Sequence, residues 1–294
     1  MSTTTEALLR RDTLFLIWEL RALWLAIASY LLSSLFYLIW FAFPNYKVGK
    51  TASAFLWAGS FMHSAMIILR TIDGGQPPYQ TRYESLLWFA WSAAITYLFV
   101  ERRFARIFAA GFPVTAMGAA ACLHAVLQCD QAVVPRSPAL QSDWYIWHVV
   151  TAFMSYAVFV VAFSVELGYV LLTRLFSPKT LARYSLNTEA GARFHRTAHQ
   201  LVLFGFPLLT FGIVSGAAWA EQAWGRYWSW DPKEIWSLIT WTVYAIYLHS
   251  MTMASWRGGR ASALNMLGFV SVIMTFLFMS WLVKLLGIPS LHAY

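Results

Sequence analysis

Eight long stretches of the chain consist mainly of apolar residues, and short polar segments separate them. A helix of about 20 apolar residues spans the ~30 Å hydrocarbon core of a bilayer. The third stretch is short, whereas the others reach this length. The pattern predicts an all-α integral membrane protein of one polytopic domain (residues 1–294) with about eight transmembrane helices. These are expected at residues 20–42, 52–70, 84–100, 106–127, 148–175, 199–221, 233–254 and 264–286.

Composition supports this prediction and narrows the function classes. Hydrophobic residues make up 59% of the chain and charged residues 12%, whereas soluble domains have about 25% charged residues. The net charge of +8 does not imply nucleic-acid binding, because Lys and Arg collect in the cytoplasmic loops of membrane proteins. Cys122 and Cys129 form no Cys-x-x-Cys motif and would lie ~10 Å apart on one helix, too far for a disulfide. A thiol-redox enzyme is therefore not expected.

The distribution of Lys and Arg predicts the orientation in the membrane. Basic residues concentrate in four loops, at residues 43–51, 101–106, 176–198 and 255–263. With eight spans these loops share one side, which should be cytoplasmic. The loop 222–232 between helices six and seven and the C-terminus are then extracytoplasmic. Arg10 and Arg11 disagree with this scheme, so either the charge rule is overridden there or the N-terminal region does not cross as drawn. Residues 6–20 are also candidates for a short amphipathic surface helix.

The segment 219–236 has a composition found nowhere else in the chain, and we name it the Trp-rich segment. It contains five of the 16 tryptophans, interleaved with Gly225, Arg226 and Asp231. An interfacial aromatic belt accounts for one or two such rings at a helix end. Five clustered rings with a few charges suit a large, flat, amphipathic ligand such as a porphyrin.

Two local motifs bear on helix geometry near this segment. Asp231, Pro232 and Glu234 have the spacing of a helix N-cap, a first-turn proline and a capping box. The predicted cap would begin the seventh helix and hold the preceding loop rigid. Gly212 and Gly216 form a G-x-x-x-G pattern, which favours close helix packing and suggests no chemistry.

The run from Trp224 to Leu238 resembles the tryptophan-rich "WWD" signature of the haem-handling proteins of cytochrome c biogenesis. Its Asp-Pro-Lys-Glu ending at 231–234 is similar to the CcsA/ResC branch (system II), and differs from the exporter branch that passes haem to a chaperone. The resemblance covers nearly the whole chain after about residue 54. It implies that the Trp-rich segment contacts haem, through residues that include Trp219, Trp224, Trp228, Trp230, Asp231 and Arg226.

Histidines are the candidates for holding haem iron, because neutral imidazole is a common axial ligand. His148 lies at the predicted outer end of the fifth span, and His292 follows the eighth. On the predicted topology both face the same side as the Trp-rich segment, so they could hold iron from both faces. The sequences around both also resemble CcsA/ResC, which implies that they are the two external ligands. The alternative is a pair of interfacial histidines in water.

His249 belongs to a different depth of the membrane. It follows Asp231 by 18 residues, which places it about 27 Å deeper on a straight helix. One haem cannot contact both places, so two stations are expected if both bind haem. The segment around His249 resembles the family segment that carries an intramembrane haem histidine.

The other histidines and the cations are weaker candidates. His63 is a possible second inner ligand, and His124 is expected to be a packed or hydrogen-bonded helix residue. His195 and His199 either receive haem from inside or, as the preferred interpretation, lie on a solvated basic face. The haem propionates require cations, preferably arginine. The outward candidates are Arg70, Arg82, Arg226 and Lys233, although the family usually has Asn at the position of Arg82.

The resemblance implies the CcsA-type subunit of a system II cytochrome c synthetase in a bacterial cytoplasmic membrane. Such a subunit transports haem b across the membrane and presents it to an apocytochrome c with a Cys-x-x-Cys-His motif, together with a CcsB/ResB-type partner. No side chain of this chain is predicted to be catalytic, since the thiolates belong to the substrate. The alternatives are a haem carrier that delivers to a chaperone without ligation, and a secondary transporter for another solute.

Overall fold

A computed structural model describes residues 3–103, 107–177, 188–253, 256 and 258–287. In these residues the chain forms eight long helices and no strand. They are α1 (Thr3–Ala42), α2 (Tyr46–Gly74), α3 (Arg82–Arg103), α4 (Phe108–Gln128), α5 (Asp143–Leu175), α6 (Thr188–Trp224), α7 (Pro232–Ser250) and α8 (Gly259–Leu286). A short 3-10 helix, Pro138–Leu140, precedes α5, and α8 contains a π-helical stretch at Met274–Phe278. The prediction of an all-helical membrane protein is confirmed.

Six of these helices are long and apolar enough to cross a bilayer, namely α1, α2, α4, α5, α6 and α8. The chain is therefore a multi-pass membrane protein. The helices α3 and α7 correspond to the third and seventh predicted spans but do not meet this criterion. Helix α3 carries charged residues at both ends, and α7 begins with Lys233 and Glu234.

The N-terminal region forms one continuous helix. The separate surface helix considered for residues 6–20 is wrong, because α1 runs without a break over 40 residues. Glu19 explains why this region belongs to the bundle. Its carboxylate is only 1% exposed and accepts hydrogen bonds from Arg70 and Tyr83, so α1 is fixed by buried polar contacts.

The chain divides into two compact units, residues 1–136 and 137–294. In unit 1, α1 packs along α2 and α4, and α3 contacts α2 and α4. In unit 2, α5 packs along α6 and α8, and α7 contacts α6 and α8. The four helices of each unit thus have the same neighbours in the same order. The assignment of all residues to a single domain stays a prediction.

Matched positions 150 residues apart support the equivalence of the two units. Gly75 and Gly225 both end a second helix with positive φ, 64° and 73°. Glu84 and Glu234 both lie in the first turn of the third helix. Farther along these helices, Trp91 and Trp241 donate their indole N–H to a hydroxyl of the second helix, at 2.8 and 2.9 Å. The same helix hairpin therefore occurs twice. The identical residues are too few for the repeat to be recognised by inspection of the sequence.

Candidate functional site

His148 is held at the beginning of α5 by two glycines of α6. Its Nδ1 donates a hydrogen bond to the carbonyl oxygen of Gly212 over 2.7 Å. One turn farther along α6, a Cβ at Gly216 would lie only 2.6 Å from the same Nδ1. The helix packing predicted for these glycines is confirmed, and the structure adds that they form the seat of the His148 ring.

This contact determines which ring nitrogen of His148 has the lone pair. A carbonyl oxygen can only accept, so Nδ1 must carry the hydrogen, and Nε2 of the neutral imidazole is then the unprotonated nitrogen. Histidines that bind metals typically donate their other ring N–H to a backbone carbonyl or carboxylate, which fixes the tautomer and the ring orientation. His148 makes this type of hydrogen bond through its Nδ1.

Trp219 supports the His148 ring from one side. The two rings are nearly parallel, with an interplanar angle of 17° and centroids 5.9 Å apart. Trp219 is only 2% exposed, and its indole N–H donates to the carbonyl oxygen of Ala139 over 2.7 Å. Trp224 packs against Trp219 at 4.8 Å. Trp219 therefore belongs to the support of His148, with little surface open to a ligand.

The loop between α6 and α7 carries the exposed aromatic surface of the Trp-rich segment. Gly225 ends α6 with a φ of 73°, where a residue with a Cβ would be strained. Tyr227 and Trp230 are 64% and 66% exposed, and Arg226 is also exposed. Trp228 is half-buried and contacts Trp230 in an edge-to-face arrangement at 5.9 Å. These side chains form the surface that a flat ligand could cover.

Asp231 and Glu234 hold the loop in place through the predicted capping box, which is confirmed. Asp231 is 6% exposed and accepts the backbone N–H of Lys233 at 2.9 Å. The carboxylate of Glu234 accepts the backbone N–H groups of Ser229 and Asp231 at 2.8 and 3.1 Å. The buried carboxylate of Asp231 thus acts on the helix start, and Glu234 joins the loop to α7.

Arg70 does not serve the predicted purpose of binding a haem propionate. It is 1% exposed and its guanidinium is occupied within unit 1. It donates to Glu84 at 2.9 Å and Glu19 at 3.1 Å, and to the carbonyl oxygens of Gln131 and Ala132. The prediction for Arg70 is wrong, because a buried cation needs these carboxylates as partners.

The other candidate ligands occupy different places. His292 lies outside the described residues. His249 is exposed near the end of α7, about 27 Å along that helix from Asp231. His63 is fully buried in unit 1, where its Nδ1 is 3.2 Å from the hydroxyl of Tyr30. His124 is exposed, so the packed alternative for this residue is wrong.

A polar cluster that was not predicted lies at the opposite end of unit 2 from His148. Glu166 of α5 is 1% exposed. Its carboxylate accepts hydrogen bonds from Nδ1 of His195 on α6 at 3.0 Å and from the hydroxyl of Ser262 on α8 at 2.8 Å. The preferred interpretation of His195 as part of a solvated basic face is wrong. The one signal in the sequence was an acidic residue within the apolar stretch 148–175.

Comparisons with known proteins identify relatives of this chain. A family described as "Cytochrome C assembly protein" matches residues 79–286. The cytochrome c biogenesis protein CcsA of Parasynechococcus marenigrum (strain WH8102) is 35% identical over 255 residues, which is 79% of this chain and 82% of that protein. CcsA of Guillardia theta is 34% identical, with coverage of 76% and 79%. CcsA of Chlorella vulgaris is 31% identical, with coverage of 78% and 80%.

A solved structure also has a similar fold. The chain superposes on "Cytochrome c Heme Lyase CcmF" with a TM-score of 0.68, 16% sequence identity and coverage of 88% of this chain. It spans 46% of the length of that protein. At this identity the likeness concerns the fold alone.

Proposed function

Because this chain belongs to the CcsA family of cytochrome c biogenesis proteins, we propose how it takes part in cytochrome c maturation. It carries haem across the membrane and presents it to apocytochrome c for covalent attachment, as the CcsA-type subunit of a system II cytochrome c synthetase. The membrane is the bacterial cytoplasmic membrane, which α3 and α7 cross as the third and seventh of eight spans. The Trp-rich segment and the C-terminus face outward.

The seat of His148 is the observation that carries this proposal. The hydrogen bond from Nδ1 to Gly212 makes Nε2 the unprotonated nitrogen of the neutral ring, which is the atom that the proposal assigns to iron, and Trp219 lies nearly parallel to the imidazole. The exposed rings of Tyr227 and Trp230 lie in the loop that follows α6, the helix that carries both contacts of His148. Axial coordination by His148 and His292, with aromatic contacts to the macrocycle, would hold haem in one orientation.

His249 provides the second station of the proposed route. The uninterrupted helix α7 separates it from Asp231 by about 27 Å, too far for one macrocycle to contact both. Haem therefore rests at His249 before it reaches His148 and His292. Arg226, which is exposed beside the loop aromatics, is the proposed partner of a propionate because arginine pairs with carboxylates in a bidentate manner.

The proposed contribution of this chain to the reaction is to position the haem. A thioether forms when a thiol of the apocytochrome adds across a haem vinyl group: the S–H bond and the π bond of the vinyl C=C are broken, one C–S and one C–H bond are made, and no group leaves. Holding the vinyl groups beside the two thiols of a Cys-x-x-Cys-His motif converts this addition into a nearly intramolecular step. A CcsB/ResB-type membrane protein is the proposed partner, and haem b is the transported substrate.

Co-expression tests the function directly. This chain, a CcsB-type partner and an apocytochrome c reporter are produced in a strain without other cytochrome c maturation proteins. Covalent haem on the reporter is expected for the wild type and is expected to be lost in His148→Ala. Haem bound to this chain without any covalent product would instead support a carrier that delivers to a chaperone.

Absorption spectra of the purified protein test the ligands. We expect a bis-imidazole spectrum that His148→Ala and His292→Ala alter in the same way, because they hold one iron. His249→Ala should remove a different fraction of the haem. Unchanged spectra in all three variants would remove the ligand assignments, and His124→Ala is the matched control because His124 is exposed in unit 1.

A further inference from the structure

We propose that His195 is an additional axial ligand of haem iron, at the end of unit 2 opposite His148, positioned there by Glu166 and Ser262. The ligand class is a metalloporphyrin that has not yet reached His249. This inference rests on the proposed haem transport. It adds an earlier contact to the route, at the end of unit 2 where α6 begins and where α7, which carries His249, ends.

A buried acid in a membrane helix requires an explanation. Glu166 is 1% exposed and lies within α5, one of the helices long and apolar enough to cross a bilayer. An ionisable group at such a place is costly and usually marks a functional site. Among the described residues no lysine or arginine pairs with Glu166, and its partners are His195 and Ser262. The carboxylate therefore orients the imidazole of His195 and also accepts the hydroxyl of Ser262.

The orientation of the imidazole is the one that a metal ligand needs. Nδ1 of His195 donates to the carboxylate of Glu166, with distances of 3.0 and 3.1 Å to the two oxygens. In the neutral ring Nε2 then carries the lone pair. A carboxylate on the second ring nitrogen raises the basicity of a metal-bound histidine. None of the described residues hydrogen-bonds to Nε2, and the His195 side chain is 24% exposed.

The surroundings of His195 suit the edge of a macrocycle. Tyr169 contacts the imidazole edge-on, with centroids 4.9 Å apart and an interplanar angle of 72°. One turn farther along α6, His199 packs against Tyr247 of α7 at 5.9 Å. His249 follows Tyr247 by two residues. Imidazole and phenol groups on α5, α6 and α7 thus cluster at the end of unit 2 that carries His249.

A purely structural role for the cluster makes a different prediction. Contacts among α5, α6 and α8 need only Nδ1 of His195, whereas iron needs Nε2. Asparagine places its amide nitrogen at about the position of Nδ1 and has no atom at the position of Nε2. His195→Asn therefore keeps the hydrogen bond to Glu166 and removes only the proposed ligand atom.

Haem titration of the purified full chain tests the proposal, with hemin as the probe and His249→Ala as the background. In that background, His195→Asn should weaken the remaining binding at this end at least tenfold, while His124→Asn has no effect. His195→Cys should shift the Soret band to that of a thiolate-ligated ferric haem. Glu166→Gln should weaken haem binding about 10- to 100-fold and raise the reduction potential of the haem, because the ligand becomes less basic.

The outcomes separate this inference from the proposed function. Spectra of His195→Asn and His195→Cys that match the background protein would overturn the His195 assignment, even if His148→Ala and His249→Ala still remove haem. A wild-type protein that binds no haem would instead overturn the proposed function. If His195→Asn does not accumulate, Glu166→Gln decides, since an unchanged haem affinity and potential in that variant would show that the cluster is structural only.

Discussion

Replacing Glu234 by alanine would remove the carboxylate that joins the aromatic loop to α7. Two backbone N–H groups, those of Ser229 and Asp231, lose their acceptor at 2.8 and 3.1 Å. The hydroxyl of Ser229 loses a weaker contact at 3.2 Å. The helix itself remains capped by Asp231, so we expect the loop to change while α7 persists.

The magnitude follows from the two orphaned donors. Leaving a buried N–H without an acceptor costs about 1–3 kcal/mol. Glu234 is 9% exposed, so water reaches part of this region and the lower end applies to each donor. The total of about 2 kcal/mol corresponds to a roughly 30-fold loss of the ordered loop conformation. Both N–H groups donate to Oε2, so the amide oxygen of Glu234→Gln can still accept them. Loss of the charge on the acceptor should then cost about 1 kcal/mol, or roughly fivefold.

Haem titration in the His249→Ala background measures this effect at the proposed outer site. The apparent Kd should rise roughly 30-fold for Glu234→Ala and fivefold for Glu234→Gln. Glu84→Gln is the matched control, because Glu84 accepts the backbone N–H groups of Gln80 and Thr81 at the equivalent position of unit 1. It should lower the melting temperature without changing the Kd. Equal effects of the two Gln variants on the Kd, or none from Glu234→Ala, would refute the reasoning.

Two further substitutions test the seat of His148 and the assignment of the cations. Gly216→Ala places a Cβ 2.6 Å from the His148 ring and should abolish the spectrum of haem at the outer site. Gly212→Ala places a Cβ 3.4 Å from its nearest neighbour and should reduce this spectrum less. Similar spectra in both variants would contradict the role of these glycines in holding His148. Arg70→Met leaves two buried carboxylates without their cation and should destabilise the protein by about 3–5 kcal/mol, measured as a lower melting temperature. Arg226→Met should leave the melting temperature unchanged and weaken haem binding. A stable Arg70→Met protein would show that the buried network is dispensable.

The predicted features that the structure confirms depend on neighbours in sequence. The helices follow from runs of apolar residues, because a helix satisfies its backbone hydrogen bonds within itself. The capping box at Asp231 and Glu234 involves groups three residues apart. The prediction of this capping box therefore did not require knowledge of how any other helix packs. The bounds of α3 and α7 were equally predictable, although their charged ends leave their passage through the membrane a proposal.

Two of the errors concern residues whose environment is set by another helix. Arg70 looked like an outward cation, but Glu19, 51 positions away, and Glu84 bury its charge. His195 looked solvated, but Glu166, 29 positions away, orients it. A charged or titratable residue looks the same in the sequence whether water or a carboxylate faces it. Only the packing of distant helices distinguishes the two.

The sequence by itself determined the helical membrane architecture, the family and the local geometry of the Trp-rich segment, since each of these depends on composition or on residues a few positions apart. Only the tertiary structure decided the partners of the buried charges, the seat of His148 between Gly212 and Gly216, and the equivalence of the two four-helix units. These features depend on which helix faces meet, and apolar faces of similar composition do not specify their neighbours in a form that can be read from the sequence alone.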